Sequence, residues 1–431
     1  MARGIHFEAC REAVVNARQQ IWVAALTVLL IAVVAVVSWS YRFRHAAGGS
    51  GSGDVTVSVT SPDDMGPGSL REALFIAASA KGRATVLIVP RKLTVNTALP
   101  PLMNPHGMRL VSQPPGAEID AQTLAGGAVL DVVGPNASIE GVVVRNCPGA
   151  AVLLRAAHFR LRSSTVESCD VGVEVAANAT DVLIESNRFA NDRIGVRFAA
   201  PNPETAVVGN TFAHERAAGL WAVRGEAGTP GAAIQVHDNH FTEDYSGIVA
   251  GNIPIVVARN DFAANTPDAA VHLIGAGVAI RDNRIAGPAA TGIVGENARD
   301  AVIEGNELTR LSSYALMLRN SAGAMVRANR VSDCASGMAF VLGDPAHPST
   351  AIGNTITEPK LNAIDIIGDS PILKNNQVVR PHALALRVTD YAPAGGPSVR
   401  AHPSLEGNNF RANTLGTEPA AEPTTAAVGR P

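Results

Sequence analysis

The sequence predicts an all-β solenoid of stacked parallel coils behind one transmembrane helix. Three observations predict it: a phrase repeating about every 23 residues from residue 130 onward, an uncharged apolar run at 21–39, and a composition rich enough in apolar residues for a long core. The chain has 431 residues, of which 46% are hydrophobic, 17% charged and 4% aromatic, with a formal net charge of −3. That is too apolar for a mainly disordered chain and too neutral for a protein that coats nucleic acid. Length alone suggests two or three domains, but repeat architectures override that prior. Four cysteines exclude a disulfide scaffold, and basic charge is almost all Arg.

Residues 1–20 read as a short cytoplasmic tail. Ile21–Trp39 (IWVAALTVLLIAVVAVVSW) carries no charge. At about 1.5 Å per residue such a helix spans roughly 28 Å, close to a hydrocarbon core. Trp22, Trp39 and Tyr41 stand where interfacial aromatic belts stand. The alternative is a cleaved signal peptide, whose apolar core runs to only about 7–15 residues and ends at a small-x-small site. Ser38-Trp39-Ser40 is a poor such site, so an uncleaved signal-anchor is the preferred reading. Residues 40–53, including AAGGSGSG, form a flexible linker. This places the remainder outside a bacterial inner membrane, in the periplasm or beyond.

Residues 54–130 read as an N-terminal cap followed by the first, less regular coils. In Gly66-Pro67-Gly68-Ser69-Leu70-Arg71-Glu72-Ala73-Leu74, a Ser N-cap has Glu three residues on, the signature of a capping box. An amphipathic helix from there to about Ala80 can cover the open strand edges of the first coil.

Residues 131–412 hold the repeat. A short apolar strand leads to an anchor residue, then any residue, then Phe, Val, Ile or Leu. The anchors are Gly141, Ser164, Asn187, Asn210, Asn239, Asn260, Asn283, Asn306, Asn329, Asn354 and Asn376, at spacings of 23, 23, 23, 29, 21, 23, 23, 23, 25 and 22. SNRF (186–189), GNTF (209–212), DNHF (238–241) and RNDF (259–262) show the phrase. The leucine-rich consensus is missing, and alternating Val, Ile and Ala is strand grammar. Asn with Gly at the corners permits left-handed backbone, and stacked Asn amides can satisfy polar groups coil to coil. Eleven coils at ~4.8 Å make a rod of roughly 50 Å. Residues 413–431, rich in Pro, Ala and Thr, read as a disordered tail.

These residues resemble the right-handed parallel β-helix superfamily, which holds pectate-lyase-like enzymes, mannuronan C5-epimerases and NosD-type periplasmic proteins. The resemblance covers about residues 54–412, and Gly68-Ser69-Leu70-Arg71-Glu72-Ala73 looks like the phrase that opens many exported β-helix proteins. It implies a right-handed winding and an outer face able to take a glycan.

Counting from each corner as Gly-in-out-in gives an outward column: Ala151, Glu174, Arg197, Trp221, Val249, His272, Val294, Met317, Ala339, Asp365 and Ala385. Within it, Glu174, Arg197, Trp221 and His272 suit a carbohydrate groove, since indole stacks on a sugar face and Arg binds a carboxylate bidentately. The opposing reading is that Trp221 merely packs under the enlarged 210→239 step. That step brings His214, Glu215, Arg216, Arg224 and Glu226 beside the column, and the next coil adds His237, His240, Asp244 and Tyr245. Proton abstraction beside a uronate carboxylate needs a neutralised carboxylate, a base and an acid. Arg197 or Arg216 can neutralise, His214, His237 or His272 can act as base, and Tyr245 as acid; Glu174, Arg216, Trp221, His240 and Asp244 are the accompanying substrate-binding candidates.

Arg281–Glu304–Arg327 and Arg284–Glu307–Arg330 recur at 23-residue spacing and should stack as alternating surface charges. Cys147 and Cys169 lie in successive coils, either as buried thiols or as a disulfide, with Cys334 out of reach. The epimerase-like DPHD phrase is absent, Asp344-Pro345-Ala346-His347 only approaching it, and Arg259 between Asp238 and Asp282 argues against a calcium-dependent lyase. His237 and His240, three apart on one strand, should face opposite ways, so no metal or cofactor is expected.

The expectation is a periplasm-facing β-helix that binds an acidic exopolysaccharide; whether it also modifies the polymer is left open, and if it is an enzyme the reaction is C5-epimerisation or β-elimination. The rival is a non-catalytic solenoid: a scaffold, adhesion module or envelope-assembly factor. Expected partners are an acidic polysaccharide or other envelope glycan, the inner membrane through residues 21–39, and envelope proteins, with nucleic acid disfavoured by charge.

Overall fold

The computed structural model describes residues 53–224, 232–263, 268–393 and 396–410. The tail before the span, the Ile21–Trp39 segment, most of the linker, Glu226 and the C-terminal tail lie outside the described residues. Among the described residues no helix is long and apolar enough to cross a membrane.

From Val55 onward the chain winds repeatedly through three sheets, here A, B and C, each strand pairing in parallel with its counterparts one coil away. Among the described residues, sheet A has 15 strands, sheet B 13 and sheet C 12, so the solenoid has about 13 turns. The turns before the first anchor lie within residues 54–130, where Val55–Val59, Ala84–Ile88 and Met108–Ser112 open sheet A.

The cap is as the capping signature requires. Helix α1 (Leu70–Ala78) starts at Ser69, whose side chain accepts from the Glu72 amide at 3.3 Å. The Glu72 carboxylate turns back one residue farther than the motif predicts and accepts from the Gly68 amide at 2.5 Å. The helix ends at Ala78, two residues short of expectation, and buries Leu70, Ala73, Leu74 and Ala77 as one face. Asn104 closes its far end by donating to the Ala77 and Gly82 carbonyls at 2.8 and 3.2 Å.

The A–B corner carries the asparagine ladder. The Asn187 amide donates to Asn210 Oδ1 at 2.9 Å, the Asn210 amide to Asn239 Oδ1 at 2.9 Å, and so on to Asn376 and Asn408. Each carboxamide also donates back to a carbonyl of the preceding coil, as Asn210 does to Ile184 at 2.9 Å. Left-handed backbone falls on the residue before each Asn (Ser186, Gly209, Asp238, Arg259, Asp282), so the asparagines bond while their neighbours turn.

Inside the coils, Phe189, Phe212, Phe241 and Phe262 stack with ring centroids 5.0, 4.7 and 4.7 Å apart. The sheet C glycines make room for them: a Cβ at Gly195 would lie 2.7 Å from the Phe212 ring, and one at Gly219 equally close to Phe241. Where the facing residue is the smaller Val166 or Val378, the equivalent position is Ala151 or Ala363.

Cys147 and Cys169 form a disulfide, with Cα atoms 4.3 Å apart, and Cys334 is buried away from them. Arg327 and Arg281 flank Glu304 at 2.8 and 3.8 Å, as their spacing predicts. Arg284, Glu307 and Arg330 are in register too, but Arg284 turns to Asp261 at 3.1 Å instead. Arg259 sits bidentately on Asp238 at 3.1 and 3.0 Å, which neutralises that acidic corner.

Candidate functional site

Sheet C presents its outward column in strict register. Glu174 pairs with Arg197, Arg197 with Trp221, Trp221 with Val249, and Val249 with His272. The two ends differ from expectation. Leu153 and Arg387 are the outward residues, while Ala151 and Ala385 are buried. The phase slipped there because Ala stands in the inward place that Gly holds in the middle coils, so the count began two residues early.

Within the column, Arg197 Nη2 lies 2.6 Å from Glu174 Oε1. The arginine expected to neutralise a bound carboxylate therefore already has one from its own neighbour. Trp221 is half-buried, with Val249 beneath the surface beside it. His272 is half-buried as well; its Nδ1 lies 3.4 Å from Asp268 Oδ2, and its Nε2 3.7 Å from Glu296 Oε2. Asp268 also accepts from the Ser246 hydroxyl at 2.7 Å. The Asp268 contact, above all, pushes the His272 pKa up against a lesser desolvation effect, and the same contact holds Asp268 down. That contact favours the protonated imidazole, which suits an acid or a cation better than a base.

The B–C corner runs beside this column. Backbone bonds from Ile194 to Asp170, from Ala217 to Arg193 and from Asp268 to Tyr245 set Asp170, Arg193, Arg216, Tyr245 and Asp268 along successive coils. Arg193 holds Asp170 bidentately at 2.6 and 3.0 Å. Arg193, with Arg197 and Arg216 behind it, keeps the Asp170 carboxyl below its ordinary range. Three guanidinium groups thus gather around two carboxylates, Asp170 and Glu174. Sequence reasoning missed Arg193 and Asp170, although the exact 23-residue steps 170→193→216 were the signal. Arg216 and Tyr245 are exposed at this corner, and His214 faces Glu243 at 3.3 Å.

Three predicted members belong elsewhere. His237 lies on sheet A, bound to Asp238 at 2.6 Å. His240 lies on sheet B, bound to Asp261 at 3.1 Å. They are separated by the A–B corner rather than sharing a strand. Asp244 is buried inside the solenoid, where its Oδ1 accepts from the Glu215 amide at 2.9 Å, so it cannot touch a ligand on the surface. Glu215 is buried likewise, directly beneath the corner that exposes Arg216.

Asp192, Glu215 and Asp244 stack as an interior carboxyl ladder that continues the line of Cys147 and Cys169. Asp192 Oδ1 accepts from the Cys169 amide at 2.7 Å, the same device as the asparagine ladder. The Asp192 amide approaches the Glu215 carboxyl without closing a good hydrogen bond. Burial is the chief cause that pushes all three pKa values up, Asp244 to about 8, and the neighbouring carboxyls add to it for Glu215. At neutral pH Glu215 and Asp244 are thereby driven toward their uncharged forms and Asp192, raised to about 7, part of the way, so the three serve as hydrogen-bonding core, not as surface charge.

The family described as "Right handed beta helix region" matches residues 227–378. No curated protein matches the chain. Among solved structures, the catalytic unit of a GH87 alpha-1,3-glucanase from Streptomyces thermodiastaticus superposes with a TM-score of 0.52 at 15% identity, over 87% of this chain and 73% of that one. PfbA, a surface adhesin of Streptococcus pneumoniae, superposes with a TM-score of 0.52 at 12% identity, over 79% and 93%. The A-module of a mannuronan C-5 epimerase from Azotobacter vinelandii gives 0.47 at 12% identity, over 83% and 99%. At these identities the likeness is one of fold.

Proposed function

From the premise that this chain is a right-handed parallel β-helix repeat protein, we propose that sheet C and the adjoining B–C corner bind an acidic glycan. The observation that carries the reading is the grouping of Arg193, Arg197 and Arg216 around only two carboxylates, one coil from the in-register Trp221. Guanidinium groups offer planar paired donors to uronate carboxylates, and an indole offers a flat apolar face to the sugar ring between them. The ladder spacing of about 4.8 Å matches the rise of one sugar residue closely enough for successive rings to meet successive coils. Display outside the inner membrane through Ile21–Trp39 belongs to the same proposal and rests on the sequence.

Binding without turnover is the better supported half. Proton abstraction beside a uronate carboxylate wants an unprotonated base, whereas Asp268 pushes His272 toward its protonated form, His214 is paired with Glu243, and His237 lies on sheet A. The structural neighbours do not choose for us. One is named a glucanase and another an adhesin, and a shared fold selects neither role.

Purified protein titrated with uronate-containing and neutral polysaccharides tests the reading through affinity and tryptophan fluorescence. Saturable binding to the acidic polymers alone is expected, weakened at least about tenfold (~1.4 kcal/mol) by Trp221→Ala or Arg216→Ala. Unsaturated sugar ends or proton exchange at C5 in the same samples would replace the binding role with a lyase or an epimerase. No binding to any glycan would leave the scaffold or assembly role and remove ours.

A further inference from the structure

Sheet A carries a separate hollow near the cap, at the corner where sheet C leads into sheet A. Its floor is the outward column Thr85, Arg109, Ser138, Arg160 and Leu183, in register from coil to coil. Ser138 is the small member, and it leaves a gap between Arg109 and Arg160, whose Cα atoms stand about 10 Å apart across two coil steps. Along the hollow's edge, Gly107 occupies a left-handed corner (φ 99°) where a Cβ would lie 2.8 Å from the Asn136 carbonyl, so no side chain fills that place either. The resulting pocket has a volume of about 330 Å3, lined by Arg83, Arg109, Ser138, His158, Arg160 and Asp181.

Its charge is unbalanced. Asp181, the one carboxylate in the lining, is already shared by Arg160 at 2.8 Å and His158 at 2.7 Å, contacts that hold its pKa below the ordinary range. Arg109 reaches Glu140 only at 3.4 Å, both side chains being half in solvent. Among the described residues the Arg83 guanidinium has no hydrogen bond or ion pair. Arg160 is spent on its own neighbours, donating to the Asp181 carboxylate and carbonyl and to the Phe159 carbonyl, so the spare positive charge beside the small Ser138 hydroxyl comes from Arg83 and the loosely paired Arg109. A second hollow of about 480 Å3 shares Arg109 and continues over Pro114, Pro115, Gly116 and Gly141.

We propose that this hollow binds a tetrahedral oxyanion, phosphate or sulfate, presented as a monoester whose carrier lies over the Pro114–Pro115 ledge. A planar carboxylate has two acceptor oxygens and suits one guanidinium fork; an oxyanion with three free oxygens engages Arg83 and Arg109 together with the Ser138 hydroxyl, while Arg160 neutralises Asp181 at the rim. The carrier's chemistry is left to the neighbouring hollow, whose lining is uncharged apart from Arg109 and Glu140. The site is independent of the glycan face on sheet C, and either can exist without the other.

The test titrates the full chain in detergent by calorimetry, at constant ionic strength, with inorganic phosphate, glycerol phosphate and a sulfated disaccharide, against glycerol and the unsulfated disaccharide. Saturable binding of the charged probes is expected, with no heat from the neutral ones. Arg83→Ala and Arg109→Ala should each weaken it at least about tenfold, and Ser138→Glu, which places a carboxylate in the gap, should abolish it. Arg281→Ala, on the same sheet but remote, should change nothing. Tighter binding of glycerol phosphate marks a lipid head group as the source, and tighter binding of the sulfated sugar marks a glycan. Equal weakening by Arg281→Ala, or unchanged affinity in Arg83→Ala and Arg109→Ala with circular dichroism intact, would overturn the site.

Discussion

Glu215 is a buried acid in a line of buried acids, and that has a thermodynamic consequence. Asp192 and Glu215 are pushed up chiefly by desolvation, with Arg216 opposing the shift and Glu167 adding to it for Asp192, while Asp244 rises to about 8. The folded state therefore keeps protons that the unfolded chain gives up above about pH 4. With more protons bound in the native state, stability falls as pH rises, from the unfolded carboxyl range to beyond pH 8. The surface aspartates work the other way, since Asp170, Asp181 and Asp268 are held down by their partners and lose that contribution only as pH falls below about 4. Maximal stability is thus expected on the acid side of neutrality. Urea unfolding from pH 5 to 9 should show a decline that Glu215→Gln flattens by an amount on the order of 1–3 kcal/mol; parallel curves for the two proteins would disprove the ladder's protonation. This ladder was hard to read in the sequence. Charged residues beside an enlarged step look like a solvated loop, and only the spacing from Cys147 through Cys169, Asp192 and Glu215 to Asp244 marks them as one inward position.

At the scale of the element, the asparagine ladder is what defines the coil. Asn260 accepts from the Asn239 amide at 3.0 Å and donates to Val236 O at 2.9 Å and Asn283 Oδ1 at 3.0 Å, all in a buried corner. Asn260→Ala strands groups in three successive coils. Each orphan costs about 1–3 kcal/mol, and with partial relaxation the loss should total about 2–4 kcal/mol by chemical denaturation. Asn260→Ser should recover part of it, since Ser164 already serves at the head of the ladder by accepting from Val142 at 3.3 Å. A loss below about 0.5 kcal/mol would mean that water replaces the amide and the ladder is incidental. The same periodicity explains which parts were legible. The Asn positions and the outward run Glu174–Arg197–Trp221–Val249–His272 follow from a phrase that repeats in strict register. The opening coils did not, because Ala117 and Val142 stand at the ladder position; the anchor read at Gly141 is the left-handed residue one place before it. His237 and His240 were misplaced for a related reason: the two-residue corner between sheets A and B sits inside what reads as one strand.

For the whole molecule, stability is a sum over coils and the contacts between neighbours, so its ends decide where it opens first. The N-terminal end is closed by helix α1, whose Leu74 is fully buried against the first coils. The C-terminal end is thinner among the described residues: Leu386–Thr389 is only half-buried and Ser404–Glu406 is exposed. Leu74→Ala removes an apolar plug at a cost of about 2–5 kcal/mol at the site. In a linear array that cost is confined to the coils that touch the helix, because distant coils keep all their neighbours. Hydrogen exchange should therefore speed at Val55–Val59 and Ala84–Ile88 while protection of the strands around Asn260 to Asn329 stays within about threefold of the parent. A uniform loss of protection along the rod would mean that the solenoid unfolds as one cooperative block. In that case coil-to-coil links such as the disulfide at Cys147–Cys169 and the Phe189–Phe262 stack would be carrying the loss beyond the coils that touch the helix.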